Sequence, residues 1–447
     1  MASAVEQLAG NMNFGSFAKA KELRNRLLFV LMALVVYRIG TYIPIPGIDK
    51  SVWNEIFTSK GGGILDMFNM FSGGALSRMT IFALNIIPYI SASIIMQLAT
   101  SISPQMEQLK KEGESGRMKI NQYARYLTVL LASIQAYGLA VGLESMQGAS
   151  GSAVIDPGFF FRMSTVITVV GGTIFLVWLG EQITARGIGN GISLIIFAGI
   201  VAELPRAFAS TLELGRQGQF NPLVLVALFA MIVGVIAFIV FMERAQRRIP
   251  VQYPKRQHGN KMMQGQQSHL PLKLNTAGVI PPIFASSLLL LPLTAVGFMG
   301  GQGGDFMTDL SRYLAHGEPL YMVLYGALII FFAFFYTAIV FNPRDNAETL
   351  KKHGGFVPGI RPGEQTANYL DHVLTRVTVI GSLYLAFICL LPEFLMAEMS
   401  LPFYFGGTSL LICVTVTLDT VSQIHSHLIA HQYEGLIKKA KLRGRRS

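Results

Sequence analysis

Long apolar runs separated by short polar segments dominate the pattern along this chain of 447 residues. A run of about 20 apolar residues is long enough for a helix to cross the hydrocarbon layer of a bilayer. Ten runs reach or approach that length, so the pattern predicts about ten membrane-spanning helices. The runs are Leu27–Ile43, Met79–Ser101, Tyr123–Leu143, Phe159–Leu179, Ile192–Leu204, Leu223–Met242, Ala277–Phe298, Leu320–Phe341, Val373–Leu391 and Phe403–Val421.

One further apolar segment, Ile64–Phe71, is too short to cross a bilayer. Three glycines at 61–63 precede it, and Gly73, Gly74 and Arg78 separate it from the next long run. Lipid cannot satisfy the open backbone ends of such a piece, so it is stable only against protein or in a cavity. We therefore interpret it as a short re-entrant helix, folded back into the mouth of a cavity that the spanning helices enclose.

The composition supports a polytopic membrane protein. Charged residues make up 14% of the chain and hydrophobic residues 51%, whereas soluble domains carry about 25% charged residues. Of the 36 Lys and Arg residues, 28 lie in alternate polar segments, and the opposite loops at Glu144–Pro157 and Pro392–Pro402 contain none. Because positive residues stay on the cytoplasmic side, this distribution places both termini in the cytoplasm.

The count of spans predicts an internal symmetry. Five spans precede the middle polar loop and five follow it, so the halves 27–209 and 210–422 should have opposite orientations in the membrane. Inverted halves commonly build a transport path at their interface. A polar segment at 1–26 precedes the two halves, and a basic tail at 423–447 follows them.

Two long basic loops, at 243–273 and 342–376, are predicted on the cytoplasmic side. Both are rich in Gly, Gln, Pro and charge. Such loops are either simply solvated or form a docking platform for an acidic partner. We favour docking, because two of them occur on one face of a channel-like protein.

Motifs for catalysis, metals or cofactors are weak. Gly148–Gly151 matches the GxSG of intramembrane serine proteases but lies in a short polar loop, and His425, His427 and His431 have no accompanying carboxylate or cysteine. The pattern Gly187–Gly191 fails the dinucleotide spacing and predicts a tight turn. We expect no enzyme, cofactor or metal. A solute permease and an intramembrane hydrolase are the alternatives. Ionisable residues within the spans are few, which argues against an ion-coupled permease.

Long strings of residues that are typical of one protein family occur along nearly the whole chain. They are IPIPGI at 43–48, MFNMFSGGALSR at 67–78, PYISASII at 88–95, KKEGESGR at 110–117, GEQIT at 180–184, RGIGNGIS at 186–193, HLPLK at 269–273, FNPR at 341–344, FVPGIRPGEQTA at 356–367 and PFYFGGTSLLI at 402–412. By these strings the chain resembles the bacterial SecY family of protein-translocation channels.

The resemblance implies an all-α membrane protein of ten transmembrane helices in two inverted five-helix halves. It implies a plug at 64–74, with the apolar residues Ile64, Leu65, Met67, Phe68, Met70 and Phe71. It also implies a pore ring of six aliphatic side chains, which are Ile86, Ile90, Ile192, Ile196, Ile283 and Ile412. Spacing alone is little evidence that these isoleucines line a pore, since isoleucine is common on lipid-facing helices. A hydrophobic constriction can close by dewetting, and it prefers no particular passing side chain.

The resemblance further implies a lateral gate between spans two and three on one side and spans seven and eight on the other, with Gln97 and Asn190 as polar contacts. It implies that Arg361, Lys255, Arg256 and Lys261 contact the ATPase SecA or the ribosome. The expected partners are SecE and SecG in a heterotrimer, SecA, the ribosome, signal sequences and nascent chains, SecDF, YidC and the lipid bilayer. The implied function is to pass unfolded preproteins across the bacterial inner membrane and membrane segments sideways into it.

Overall fold

A computed structural model describes residues 21–60, 69, 72–148, 151–217, 222–254, 256–258, 261–263, 267–298, 313, 318–399 and 407–443. Helices dominate these ranges. They are α1 (Lys21–Gly40), α2 (Lys50–Lys60), α3 (Ile87–Ile102), α4 (Pro104–Lys111), α5 (Glu114–Ser145), α6 (Phe159–Arg186), α7 (Gly191–Arg216), α8 (Pro222–Arg244), α9 (Ile280–Phe298), α10 (Pro319–Val340), α11 (Pro343–Lys352), α12 (Glu364–Met399) and α13 (Gly407–Arg443).

The predicted spans are found on helices. Within the described ranges, seven helices are long and apolar enough to cross a membrane, and Ile87–Ile102 and Ile280–Leu289 are shorter apolar helices. The first predicted span, Leu27–Ile43, lies on α1 as far as Gly40, and α1 has 20 residues. An all-α multi-pass membrane protein, as predicted, is therefore confirmed. The seven long spans are Glu114–Glu144, Phe159–Arg186, Gly191–Glu213, Pro222–Arg244, Pro319–Lys352, Glu364–Pro392 and Gly407–Ile429.

Three small antiparallel sheets occur in the described residues. Between α5 and α6, strands β1 (Gln147–Gly148) and β2 (Gly151–Ser152) form a short hairpin. After α8, strand β3 (Gln246–Gln252) pairs with β6 (Gln267–Lys273) from Gln246↔Lys273 to Gln252↔Gln267. Between them, β4 (Arg256–His258) pairs with β5 (Lys261–Met263). The basic loop at 243–273, for which the sequence analysis predicts no particular secondary structure, thus contains the four strands β3 to β6.

The chain divides into two compact units. The first unit comprises Met1–Tyr89, Leu127–Pro205 and Val416–Ser447, and the second comprises Ile90–Tyr126 and Arg206–Thr415. The predicted halves at 27–209 and 210–422 concern orientation in the membrane, and they stay a prediction.

One predicted helix begins later than expected. The run Met79–Ser101 predicts a span from its first residue, but α3 begins only at Ile87. The preceding backbone pairs instead with the chain that follows α1: the Ile45 amide donates to the Met79 carbonyl at 2.9 Å, and the Ile81 amide donates to the Ile43 carbonyl at 3.0 Å. These tertiary bonds replace the helical ones, so an apolar stretch remains non-helical without leaving those buried polar groups unsatisfied.

Candidate functional site

The non-helical stretch Ser72–Ile86, called the support segment below, is held by side chains of the first unit. The Tyr37 hydroxyl donates to the Ser72 carbonyl at 3.2 Å, and the Arg38 guanidinium donates to the Gly73 carbonyl at 3.0 Å. The indole nitrogen of Trp53 donates to the Leu76 carbonyl at 3.1 Å. Buried carbonyls outside regular structure need such donors, so α1 and α2 stabilise this backbone directly.

Aromatic packing fixes the second part of the support segment. The ring of Phe82 stacks on Tyr37 and on Phe175, with centroids 6.1 Å apart in each pair and interplanar angles of 13° and 4°. Glycines allow this close approach, since a Cβ at Gly40 would collide with the Phe82 ring and one at Gly172 with the Ile81 carbonyl. The support segment therefore packs between α1 and α6. Its last residue is the predicted pore residue Ile86.

The predicted ring residues are divided equally between the two units. Ile86, Ile192 and Ile196 lie in the first unit, where Ile86 and Ile196 are buried and Ile192 is partly buried. The other three belong to the second unit. Their convergence into one ring stays a prediction. In the second unit Ile412 is buried, and the remaining two, Ile90 and Ile283, are partly buried.

The predicted tight turn at Gly187–Gly191 is confirmed, because α6 ends at Arg186 and α7 begins at Gly191. The side-chain oxygen of Asn190 accepts the amides of Ile192 at 3.1 Å and Ser193 at 3.4 Å, which caps α7. Asn190 therefore orients the helix that carries Ile192 and Ile196. Its predicted contact in a lateral gate stays a prediction.

The other predicted gate residue, Gln97, lies on α3. Its amide nitrogen donates to the Ser93 hydroxyl at 3.4 Å, and its oxygen is buried without a hydrogen-bond partner among the described residues. The gate role of Gln97 likewise stays a prediction.

The six predicted plug residues lie outside the described residues; these are Ile64, Leu65, Met67, Phe68, Met70 and Phe71. Asn69, which lies among these plug residues, is one of the residues that the structure describes. Its carbonyl accepts the Gly74 amide at 2.9 Å, and its side-chain oxygen accepts the Ser77 amide at 2.8 Å. Asn69 is thus bonded to the beginning of the support segment.

The two basic loops of the second unit share a hydrophobic core. Strands β3 and β6 supply Ile249 and Leu272, and the chain from α11 to α12 supplies the rest of the buried set. Gln252 and Phe356 exchange two backbone hydrogen bonds, at 2.8 and 2.9 Å. We call this assembly the hairpin cluster. Its buried residues are Ile249, Leu272, Ala347, Val357, Ala367 and Leu370.

Arg361 is exposed on the hairpin cluster, between α11 and α12. Val357 and Ile360 pack into the core on one side of it, and the Arg361 carbonyl accepts the Thr366 hydroxyl at 2.8 Å. An exposed guanidinium on a fixed backbone can form a fork with a carboxylate or phosphate. The predicted Arg256 and Lys261 lie on β4 and β5, and Lys255 lies outside the described residues.

Sequence reasoning missed Glu203 and Trp53, and noted Arg38 only as a rare charge within a span. Glu203 lies on α7 and forms an ion pair with Arg78 of the support segment, at 3.7 Å. A charged residue in an apolar run is itself a signal of a specific partner. That signal identifies the residue but not the partner, which comes from a distant part of the chain.

Comparison with known proteins identifies the family. The SecY family profile matches residues 80–421. The protein translocase subunit SecY of Escherichia coli K12 is 58% identical over 424 residues, which cover 95% of this chain and 96% of that protein. The subunit of the same name from Pseudomonas aeruginosa is 57% identical over 95% of both chains.

Solved structures share the fold. A structure described as a protein-conducting channel has a TM-score of 0.65 at 19% identity, and it covers 90% of this chain and 91% of its own. A channel in a canine ribosome–channel complex from the endoplasmic reticulum has a TM-score of 0.60 at 20% identity, with the same coverage. The chain belongs to the SecY family, and it is a protein-conducting channel subunit of the Sec translocase rather than an enzyme.

Proposed function

We propose that the six isoleucines form a single constriction through which an unfolded preprotein moves. The observation that carries this proposal is the backbone of the first unit, which is bonded so that Ile86 is 1% exposed at the end of a non-helical segment. A short non-helical backbone at membrane depth is tolerated only within protein or beside a water-filled cavity. An aliphatic ring offers no charge or hydrogen bond, so it seals against ions and yields to any sequence.

In this proposal the segment 64–74 plugs the constriction at rest, and apolar membrane segments leave through a gate beside Gln97 and Asn190. The protein lies in the bacterial inner membrane with both termini in the cytoplasm. It assembles with SecE and SecG and binds signal sequences and nascent chains, while SecDF and YidC act beside it. The energy comes from SecA or from the ribosome.

Ion leakage tests the constriction and the plug. Replacing Ile86 by Ser and deleting 64–74 should each increase the resting ion permeability of proteoliposomes that contain the purified complex. Replacing Val323 by Ser is the control, because that side chain is 71% exposed on α10. If the two changes leave the permeability at the level of the control, the proposed constriction and plug are wrong.

The hairpin cluster is proposed as the docking platform for SecA and the ribosome. Arg361 supports this proposal, since its guanidinium is exposed and can form a fork with carboxylates or phosphates, a geometry that Lys cannot replace. Lys255, Arg256 and Lys261 are included in this proposal by their resemblance to the SecY family.

Arg361→Glu should abolish SecA-dependent export while insertion of membrane proteins continues. Lys110→Glu is the matched control, because Lys110 is an exposed cation on α4, outside the hairpin cluster. Normal export by the Arg361 variant would refute the proposed role.

A further inference from the structure

Three of the proposed pore isoleucines belong to two separate pieces of the first unit. Ile86 ends the support segment, whereas Ile192 and Ile196 lie in the first turns of α7. The spacing of these three side chains therefore depends on the contacts that join the support segment to α7.

Glycines allow the backbones of these two pieces to touch. A Cβ placed on Gly73 would lie 2.8 Å from the Cα of Gly199, and a Cβ on Gly74 would collide with the carboxylate of Glu203. Both glycines of the support segment have positive φ, 63° and 79°, which other residues rarely adopt. The turn at Gly73 and Gly74 therefore fits directly against α7.

An ion pair lies beside this contact. The Arg78 guanidinium is 3.7 Å from the Glu203 carboxylate, and their side chains are 29% and 16% exposed. The same guanidinium lies over the ring of Tyr42, 4.3 Å from its centroid. The distance to Glu203 exceeds hydrogen-bonding range, so the attraction depends on charge and a neutral amide cannot replace it. Tyr42 restricts the position of the cation.

Glu203 shares a face of α7 with the pore residues. It lies seven positions after Ile196, a spacing that returns to the same side of a helix after two turns. The contact at Glu203 and the proposed pore surface are therefore on one face of the same helix. Any shift of the support segment against α7 at this contact changes the distance from Ile86 to Ile192 and Ile196.

We propose that Glu203 is a positioning residue for the constriction. With Arg78 it fixes the support segment to α7, and this sets how tightly the three isoleucines of the first unit close. The inference rests on the proposed ring of isoleucines.

The test is the resting ion permeability of proteoliposomes that contain the purified complex with Glu203→Gln. The permeability should increase about two- to fivefold, the effect expected when one partly exposed ion pair no longer favours the closed arrangement. Glu213→Gln is the control, because Glu213 is an exposed residue of the same helix, and it should leave the permeability unchanged. Glu203→Asp, which retains the charge, should leak less than Glu203→Gln. Each permeability is normalised to the amount of folded channel, which is measured as the channel that resists trypsin.

A double-mutant cycle with Arg78→Gln separates the ion pair from other effects of either side chain. The double variant should leak no more than the single variants, because both remove the same interaction. Additive effects would overturn the pairing.

Ile86→Ser distinguishes failure of this inference from failure of the proposed ring. If Ile86→Ser leaks and Glu203→Gln does not, Glu203 has no positioning role and the ring stands. If Ile86→Ser does not leak, the ring itself fails, and an increase for Glu203→Gln would not rescue the inference.

Discussion

The support segment of the first unit and the hairpin cluster of the second unit both have a structure that their hydropathy does not suggest, and they differ from it in opposite ways. The support segment is apolar in sequence, yet it is non-helical and its backbone is bonded to α1, α2 and neighbouring loops. The hairpin cluster is polar and basic in sequence, yet its strands and parts of two helices, α11 and α12, surround a hydrophobic core.

The difference shows what hydropathy can and cannot predict. Mean apolarity reports whether a segment is removed from water, and it says little about the conformation adopted there. The support segment is buried because tertiary donors satisfy its carbonyls. In β3 the residues Ile249 and Val251 alternate with exposed neighbours, a pattern that a loop-wide composition conceals.

Replacing Ile249 by Ala should have the largest effect on stability. This side chain is 1% exposed in the core of the hairpin cluster, and such a truncation costs about 2–5 kcal/mol. Trypsin cleavage at neighbouring basic residues should accelerate at least about thirtyfold, since cleavage follows the population of the opened hairpin. Gln252→Ala, at the far end of the same strand, should change the rate little. A rate equal to wild type for Ile249→Ala would mean that the cluster has no cooperative core.

Replacing Gly172 by Ala should destabilise the support segment by about 1–3 kcal/mol, the usual cost of overpacking. The added methyl group would collide with the Ile81 carbonyl, whereas at the adjacent Gly171 nothing lies within 4 Å. Thermal unfolding of the complex in detergent should therefore show a lower midpoint for Gly172→Ala and an unchanged or higher one for Gly171→Ala. Equal midpoints for the two variants would contradict the described packing of the segment.

Replacing Trp53 by Phe should cost about 1–2 kcal/mol, because the Leu76 carbonyl loses its indole donor while the ring is largely retained. Trp178→Phe provides the control, since Trp178 is 52% exposed. The same detergent unfolding assay measures both. A larger loss for Trp178→Phe than for Trp53→Phe would argue against the anchoring role of α2.

The smallest effect is expected at Asp49, which precedes α2. Hydrogen bonds from the Ser51 hydroxyl and amide hold the pKa of the Asp49 carboxyl below its usual value. Because the folded state favours the charged form, this contribution is complete above about pH 4 and is lost as the pH falls through the lowered pKa. Asp49→Asn should therefore lower the unfolding midpoint near neutral pH and converge with wild type in acid. Asp156→Asn is the exposed control, and a difference that grows in acid would contradict this account.

Much of the architecture could be predicted from the sequence. The long apolar runs identified the spanning helices, and the glycines at 187–191 identified the turn before α7. The late beginning of α3 could not be predicted, because it depends on hydrogen bonds to Ile43 and Ile45 from another part of the chain.

The residues of the candidate site could be predicted by resemblance to a family but hardly from the spacing of residues. The isoleucines were assigned by resemblance to the SecY family, and spacing alone gave them little support. The pair of Arg78 and Glu203 was not predicted, since a charge in the sequence does not specify its tertiary partner.

The most direct test of the ring is photo-crosslinking to a preprotein arrested during translocation. A photoreactive residue is placed in turn at each of the six isoleucine positions, with Leu31 and Val323, which are 58% and 71% exposed, as controls. We predict crosslinks to the arrested chain from all six positions and only background from the controls. If the positions of either unit gave only background crosslinking to the arrested chain and crosslinked to lipid instead, the proposed ring would be wrong.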